Sequence, residues 1–161
     1  MKKLTLLIVF IFGITTAMNS QTFKLGASAG IPTADAGDIS SFVLGVDAYY
    51  YFTNVDAFAE LGLNAGFRNY FGEEISDGIE IDDTQFLPLA AAARLKLFGI
   101  LSGGADIGYA IGISDFVDGG FYFRPVVGID IADTIELFAS YEVIADEATW
   151  GSLNAGILFE F

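Results

Sequence analysis

Cysteine and histidine are both absent from this sequence of 161 residues. Without cysteine the chain has no disulfide, no thiol nucleophile, no zinc-thiolate site and no lipid anchor on an amino-terminal cysteine. Without histidine it also lacks the side chain that most often serves as a general base or metal ligand near neutral pH. Most hydrolases depend on one of these two residues, so we expect no enzyme activity and no cofactor.

Basic residues are scarce as well, with 7 Lys and Arg against 21 Asp and Glu and a formal net charge of −14. Nucleic-acid binding requires Lys and Arg gathered on one face, so we expect no nucleic-acid partner. Glycine and phenylalanine are abundant, with 19 and 16 residues, and 53 % of the chain is hydrophobic. This composition excludes a disordered chain and, at this length, indicates one folded domain.

The amino terminus has the features of a secretion signal. Met1 to Lys3 is basic, Leu4 to Ile14 is an apolar run, and residues 15–20 include the small residues of a cleavage site. The apolar run is shorter than the roughly 20 residues that a membrane-spanning helix needs. We therefore predict a cleaved signal peptide at 1–20 and a mature domain at 21–161, with cleavage after Ala17 as the alternative to cleavage after Ser20.

The mature chain alternates between apolar and polar residues with period two, which is typical of β-strands. The alternation recurs near residues 22–31, 41–52, 56–68, 87–97, 101–111, 121–131, 135–143 and 152–161. Short links at 53–55, 98–100 and 132–134 alternate with longer links at 32–40, 69–85, 114–120 and 145–150. This pattern predicts an all-β fold, an eight-stranded antiparallel up-and-down β-barrel with both termini at the end of the short turns.

Charged residues within the predicted strands all lie on the polar side of the alternation, while the other side is a continuous apolar surface. A soluble barrel places its charges outside, whereas the small residues on this polar side suit the crowded inside of a narrow barrel. The strand lengths also match the roughly 9 to 11 residues of a strand that crosses a bilayer. We therefore predict a transmembrane β-barrel with a charge network in its lumen. Its members are Lys24, Asp47, Glu60, Arg68, Arg94, Lys96, Asp106, Arg124, Asp130, Glu136, Glu142 and Glu160.

The lumen of an eight-stranded barrel is just wide enough for side chains to fill it. We therefore predict a filled lumen rather than an open channel, with each cation paired to a carboxylate of a neighbouring strand. The expected pairs are Lys24 with Glu160, Arg94 with Asp106, and Arg124 with Glu142. The aromatic residues expected to point inward are Tyr49, Tyr51, Phe58, Tyr122 and Phe138. Pro88 and Pro125 lie inside predicted strands, where we expect bulges or strand limits one or two residues away.

Aromatic residues near the strand ends predict two girdles on the apolar face. One girdle comprises Phe23, Tyr50, Phe52, Phe159 and Phe161, and the other comprises Phe42, Phe67, Phe121, Tyr141 and Trp150.

The longer links contain twelve carboxylates and no basic residue. The carboxylates of residues 77–83 lack the order of an EF-hand loop, so we expect no metal site. Alternating residues on either side of Ser76–Gly78 predict a protruding hairpin whose acidity favours a basic or divalent-bridged partner.

The signal peptide, the alternating strands and the terminal segment Gly156–Phe161 resemble the small outer-membrane β-barrel proteins of the OmpA and OmpX type. The start of the mature chain at Gln21 and its acidity are similar to the outer-membrane β-barrel domain proteins of Bacteroidota. The resemblance implies a place in the outer membrane of a Gram-negative cell. It also implies that Phe159 and Phe161 act as the assembly signal read by the barrel-insertion machinery.

Three functions remain compatible with the sequence. The hypothesis that we favour is a non-enzymatic barrel that serves envelope structure or surface interaction through acidic extracellular loops. The alternatives are a narrow channel for ions or small solutes and a secreted soluble ligand-binding barrel. The expected partners are outer-membrane lipid, the barrel-insertion machinery and a surface protein, and we expect the barrel to be a monomer.

Overall fold

The computed structural model describes residues 21–55, 58–75, 79–80 and 82–161. These residues contain one short 3₁₀ helix, Asp35–Asp38, and ten strands. The strands are β1 (Thr22–Ala34), β2 (Ser40–Val55), β3 (Ala59–Gly72), β4 (Glu74–Ile75), β5 (Ile79–Glu80), β6 (Thr84–Leu97), β7 (Leu101–Gly112), β8 (Gly119–Ala132), β9 (Ile135–Ala145) and β10 (Thr149–Glu160). No helix among the described residues is long and apolar enough to cross a membrane. The predicted signal peptide and the turn Ser76–Gly78 lie outside the described residues.

Eight of the described strands form a closed antiparallel barrel in the order β1, β10, β9, β8, β7, β6, β3, β2. Each barrel strand pairs with the next barrel strand along the chain, and β10 returns to pair with β1 from Lys24 opposite Glu160 to Ala34 opposite Trp150. The predicted eight-stranded up-and-down barrel is therefore confirmed. The remaining two strands, β4 and β5, pair with each other between β3 and β6, with Glu74 opposite Glu80.

Thr22, where β1 begins, and Glu160, where β10 ends, lie at the same end of the barrel, which we call the terminal end. Its links are short, at 56–58, 98–100 and 133–134, while the links at the opposite end, the loop end, span residues 35–39, 73–83, 113–118 and 146–148. Phe98 and Gly99 both have positive φ, of 54° and 74°, as a tight hairpin turn requires. The turn predicted at 53–55 is wrong, because β2 continues through Val55 after a register shift near Tyr51.

The barrel wall is apolar on its outer side and carries the charged side chains on its inner side. Leu63, Ile107 and Val127 point outward and expose 56 %, 51 % and 63 % of their surface.

Two predicted aromatic positions are wrong. Phe58, expected in the lumen, precedes β3 and is 55 % exposed, whereas Trp150, expected in a girdle, lies in the lumen and is 4 % exposed.

Pro88 and Pro125 lie within β6 and β8 without a bulge, so the expected bulges are wrong. The alternative of shifted strand limits fits β8, which begins two residues earlier and ends one residue later than predicted, while β6 begins three residues earlier. On one side each proline pairs in regular register, with Ala110 and Ala105 respectively. On the other side the ladder is interrupted for two residue pairs, and the register is the same before and after the gap. A proline has no N–H to donate, so the strand loses hydrogen bonds on one side without inserting a residue.

Candidate functional site

The inner side of the barrel wall carries all twelve charged residues that the alternation places there. Nine of them are buried and expose 6 % or less, while Lys96, Asp130 and Glu160 are half-buried near the terminal end. All salt bridges between described residues run among these twelve. The contacts divide them into two groups. The central cluster comprises Asp47, Arg68, Arg94, Asp106, Arg124 and Glu142, and the terminal cluster comprises Lys24, Glu60, Lys96, Asp130, Glu136 and Glu160.

The central cluster is a chain of alternating guanidinium and carboxylate groups. Arg94 Nη1 lies 2.8 Å from Asp106 Oδ1, and Arg124 Nη2 lies 3.0 Å from Asp106 Oδ2. Arg124 Nη1 continues the chain to Asp47 Oδ2 at 2.9 Å, and Arg68 Nη2 lies 2.9 Å from Asp47 Oδ1. Three cations and three anions thus balance one another inside the barrel.

Two contacts of the central cluster cross the lumen. Arg124 on β8 reaches Asp47 on β2, and Arg68 on β3 reaches Glu142 on β9, with Nε and Oε2 2.7 Å apart. Neither pair of strands is adjacent in the barrel. The predicted pair of Arg124 with Glu142 has a longer N···O distance of 3.8 Å. The two guanidinium groups therefore lie across the lumen rather than along its wall.

Two buried tyrosines complete the hydrogen bonds of the central cluster. The Tyr49 hydroxyl donates to Asp106 Oδ2 at 2.8 Å and accepts hydrogen bonds from Arg94 and Arg124. The Tyr122 hydroxyl donates to Glu142 Oε2 at 3.0 Å and accepts from Arg68 at 3.2 Å. Buried charges are costly unless they are both paired and hydrogen-bonded. These hydroxyls supply hydrogen bonds that the ion pairs alone leave unmade.

Glycines on the inner wall make room for the guanidinium group of Arg68. A Cβ atom at Gly66 would lie 2.9 Å from Arg68 Nη1 and 2.8 Å from Asp47 Oδ1, and one at Gly45 would lie 3.0 Å from Arg68 Cδ. Contacts this short force a neighbour to move. Small residues are therefore needed at these positions, because larger side chains would displace Arg68 and its cross-lumen ion pair with Glu142.

The terminal cluster surrounds two lysines. Lys24 Nζ lies 3.0 Å from Glu136, 3.4 Å from Glu160 and 3.8 Å from Glu60. Lys96 Nζ lies 3.5 Å from Glu60 and 3.7 Å from Asp130. Most of these residues line a cavity of about 410 Å³ at the terminal end of the barrel. The terminal cluster has four carboxylates for two lysines.

An aromatic layer fills the lumen on the loop-end side of the central cluster. Tyr70, Phe86 and Trp150 pack edge to face, with ring centroids 5.3 to 6.0 Å apart. Val43 and Ile144 complete the layer and are fully buried. The alternation contained a signal for Trp150, which stands two residues before the inward-facing Ser152. Phe86 was missed because β6 begins at Thr84, three residues before the strand start at 87 that the apolar pattern predicts.

Hydrogen bonds link each connection at the loop end to the next connection around the barrel or to a strand residue within two positions of it. The sequence did not predict this ring. The four links are Glu73 N–H to Ile39 O at 3.0 Å, Gln85 N–H to Ser114 Oγ at 3.0 Å, Gly119 N–H to Asp146 Oδ2 at 3.2 Å, and Thr149 N–H to Asp35 Oδ2 at 2.7 Å. Two of these bonds use carboxylates, so part of the acidity at this end has a structural role.

The carboxyl-terminal residues join the seam between the first and last strands. Phe161 donates its N–H to the carbonyl oxygen of Phe23 at 2.9 Å, and the two rings lie 6.5 Å apart. Phe159 and Phe161 point outward and are 42 % and 75 % exposed.

No group of three or more potential metal-ligating side chains occurs in the part of the chain that the structure describes.

Comparison with known proteins gives similarity in structure alone. No protein-family model and no curated protein sequence matches the chain. The crystal structure of Ail, the attachment invasion locus protein of Yersinia pestis, has a TM-score of 0.59 at 15 % identity and covers 89 % of this chain and 100 % of that chain. The chain has the fold of the small transmembrane β-barrels.

Two further structures share this transmembrane-barrel fold. Neisserial surface protein A has a TM-score of 0.50 at 14 % identity and covers 88 % of this chain and 97 % of that chain. A transmembrane β-barrel designed de novo has a TM-score of 0.56 at 12 % identity and covers 89 % of this chain and 98 % of that chain. At these identities the likeness is one of fold.

Proposed function

We propose that the mature chain is an integral, non-enzymatic β-barrel of the bacterial outer membrane, exported through a cleaved signal peptide at 1–20. The observation that carries this proposal is the inverted polarity of the barrel wall. Leu63, Ile107 and Val127 are more than half exposed, while Arg68 and Arg124 are buried in the lumen. An apolar outer band of this extent is expensive in water and favourable in hydrocarbon.

The orientation follows from the ends of the barrel. Short turns and both strand termini lie at the terminal end, as in barrels that insert from the periplasm, and the longer connections then face the outside. We propose that Phe159 and Phe161 act as the assembly signal read by the insertion machinery. Their outward position at the seam with β1 supports this role, because they remain accessible while β10 pairs with β1.

The lumen contents favour a closed barrel over a channel. The central cluster places guanidinium groups across the lumen, and the aromatic layer lies above it. We propose that the twelve lumen charges have a structural role. The central cluster closes the barrel, and the terminal cluster faces the periplasm. We also propose a monomer surrounded by outer-membrane lipid, because a barrel whose lumen is filled by its own side chains needs no second subunit to complete it.

Surface interaction is the role that the loop end supports. All five basic residues between 21 and 161 form salt bridges within the lumen, so the carboxylates of the loop end have no basic partner among the described residues. Ail is named for attachment and invasion, and the Neisserial barrel is named a surface protein. We therefore propose that the acidic loop end contacts a basic surface partner.

One set of experiments tests the proposal. The protein in isolated membranes should resist extraction by salt and alkali, dissolve only in detergent, and migrate differently on gels before and after heating. Extraction without detergent would establish the soluble ligand-binding barrel instead. The purified protein should show no sustained conductance in planar bilayers, and ion-selective conductance in the wild type would establish the channel.

A further inference from the structure

A cavity of about 330 Å³ opens at the loop end above the aromatic layer. Its floor includes Trp150, which is buried, together with the half-buried side chains of Ile39 and Val117. Its rim includes Asp118 and Glu147, which are both exposed. The cavity thus combines an apolar floor with an anionic rim, and it lies outside the lumen network.

Among the described residues, no cation lies at the rim to neutralise it. Lys24, Arg68, Arg94, Lys96 and Arg124 are the only basic residues of the mature chain, and all of them form salt bridges inside the barrel. A partner with positive charge therefore complements this rim, and exposed charges attract it over about 10 Å at 0.1 M salt.

The floor of the cavity includes the edge of the aromatic layer. Trp150 is 4 % exposed, lines the cavity and packs against Tyr70 and Phe86. A tryptophan ring offers a large apolar contact area at an interface. An apolar side chain that enters the cavity can therefore contact this ring.

We propose that this cavity binds a cationic peptide segment that inserts an apolar side chain between Lys or Arg residues. The apolar side chain contacts Ile39, Val117 and Trp150, and the flanking cations contact Asp118 and Glu147. An apolar anchor in a pocket with charged groups at the rim is the usual division of roles in a protein interface. This inference rests on the proposed surface role, since it names the site and the chemistry of the basic partner.

The single tryptophan of the chain makes the test specific to this site. The purified barrel in nonionic detergent is titrated with a pentapeptide that has phenylalanine between two pairs of lysines. Tryptophan emission reports contact at the cavity, and calorimetry reports all binding. We expect saturable binding with a change in Trp150 emission that weakens as salt is raised. The peptides with alanine in place of phenylalanine, or glutamate in place of lysine, should bind less tightly or not at all.

Matched variants separate this site from general attraction to an acidic surface. The double variant Asp118→Asn/Glu147→Gln should weaken binding about tenfold, because it removes two exposed charge contacts. Glu73→Gln/Asp82→Asn makes the same change in charge at exposed residues outside the cavity and should leave the affinity unchanged. Equal losses in both variants, or binding without a change in emission, would overturn the site.

The proposed location is tested separately from the site. A membrane-impermeant amine-reactive probe would not label the loop end of intact cells, because Lys24 and Lys96 lie in the lumen near the terminal end. A peptide tag inserted after Glu147 is therefore detected with antibody on unbroken cells. Surface detection is expected. An internal tag combined with saturable peptide binding by the purified barrel would overturn the surface role while the binding site stands. Surface detection without peptide binding would overturn the site alone.

Discussion

Arg68 Nε lies 2.7 Å from Glu142 Oε2, although their strands, β3 and β9, lie on opposite sides of the barrel. Both side chains are fully buried, and the Tyr122 hydroxyl contacts both of them. A contact between opposite walls fixes the lumen cross-section in a way that pairs on neighbouring strands do not. The stability and the closure of the barrel should therefore respond to changes at these two residues.

The cross-lumen pair should be strongly coupled. Glu142→Leu leaves the guanidinium group of Arg68 without its nearest carboxylate and should destabilise the barrel by about 3 to 5 kcal/mol. The double variant Arg68→Met/Glu142→Leu removes both charges and should be more stable than Glu142→Leu alone. Urea titrations of the protein in vesicles measure both values. Additive losses in the double variant would show that the pair is not coupled.

Conductance should appear only when the central cluster is broken. Arg124→Ala removes the group that joins Asp47 to Asp106 and leaves space in the lumen. Planar-bilayer recordings should show conductance for this variant and none for the wild type. Lys96→Ala, which changes a half-buried residue of the terminal cluster, serves as the control and should remain closed. A closed Arg124→Ala barrel would place the barrier in the aromatic layer instead.

Lipid contact should follow the outward side of each strand. Leu63→Arg puts a charge on the exposed outer face and should cost about 2 to 4 kcal/mol near the bilayer midplane. Gly62→Ala tests the inner wall of the same strand, where a Cβ would meet the backbone of Tyr50 and Tyr51 and act by crowding. Folding titrations into vesicles measure both changes. Insertion of Leu63→Arg as efficient as that of the wild type would contradict the membrane assignment.

The sequence predicted the barrel because each wall residue faces either the apolar outside or the polar lumen. Side chains alternate between these two sides along a strand, so the period-two pattern of the sequence shows which side each residue faces. That rule placed Leu63 outside and Asp106 inside without any knowledge of strand pairing. It fails where a strand end is uncertain, as at Phe58, whereas Trp150 shares the inward side of Ser152 but lies just outside the predicted strand 152–161. It also contains no information on contacts across the lumen, because Arg68 and Glu142 meet only after the barrel has closed. For the same reason strand order predicted the contact of Arg94 with Asp106 but not the contact of Arg124 with Asp47.

The terminal phenylalanine should affect assembly in cells more than stability. Phe161 is 75 % exposed, and its backbone N–H bonds to Phe23 whatever its side chain is. Phe161→Ala should therefore refold in detergent with nearly wild-type stability but accumulate less in the outer membrane. Phe121→Ala, at another outward aromatic that is 54 % exposed, is the matched control and should assemble normally. Equal accumulation of Phe161→Ala and wild type would argue against an assembly signal.

The tryptophan should not contact lipid. Trp150 is 4 % exposed and packs against Tyr70 and Phe86 inside the lumen, with centroid distances of 5.3 and 5.4 Å. Bromine atoms on acyl chains quench indole emission only near contact, so vesicles of brominated lipid should leave the emission of Trp150 almost unchanged. The variant Trp150→Phe/Leu63→Trp moves the single tryptophan to the outer face and should be strongly quenched in the same vesicles. Strong quenching of the wild type would instead place Trp150 in the outer girdle, and the aromatic layer of the lumen would be lost with it.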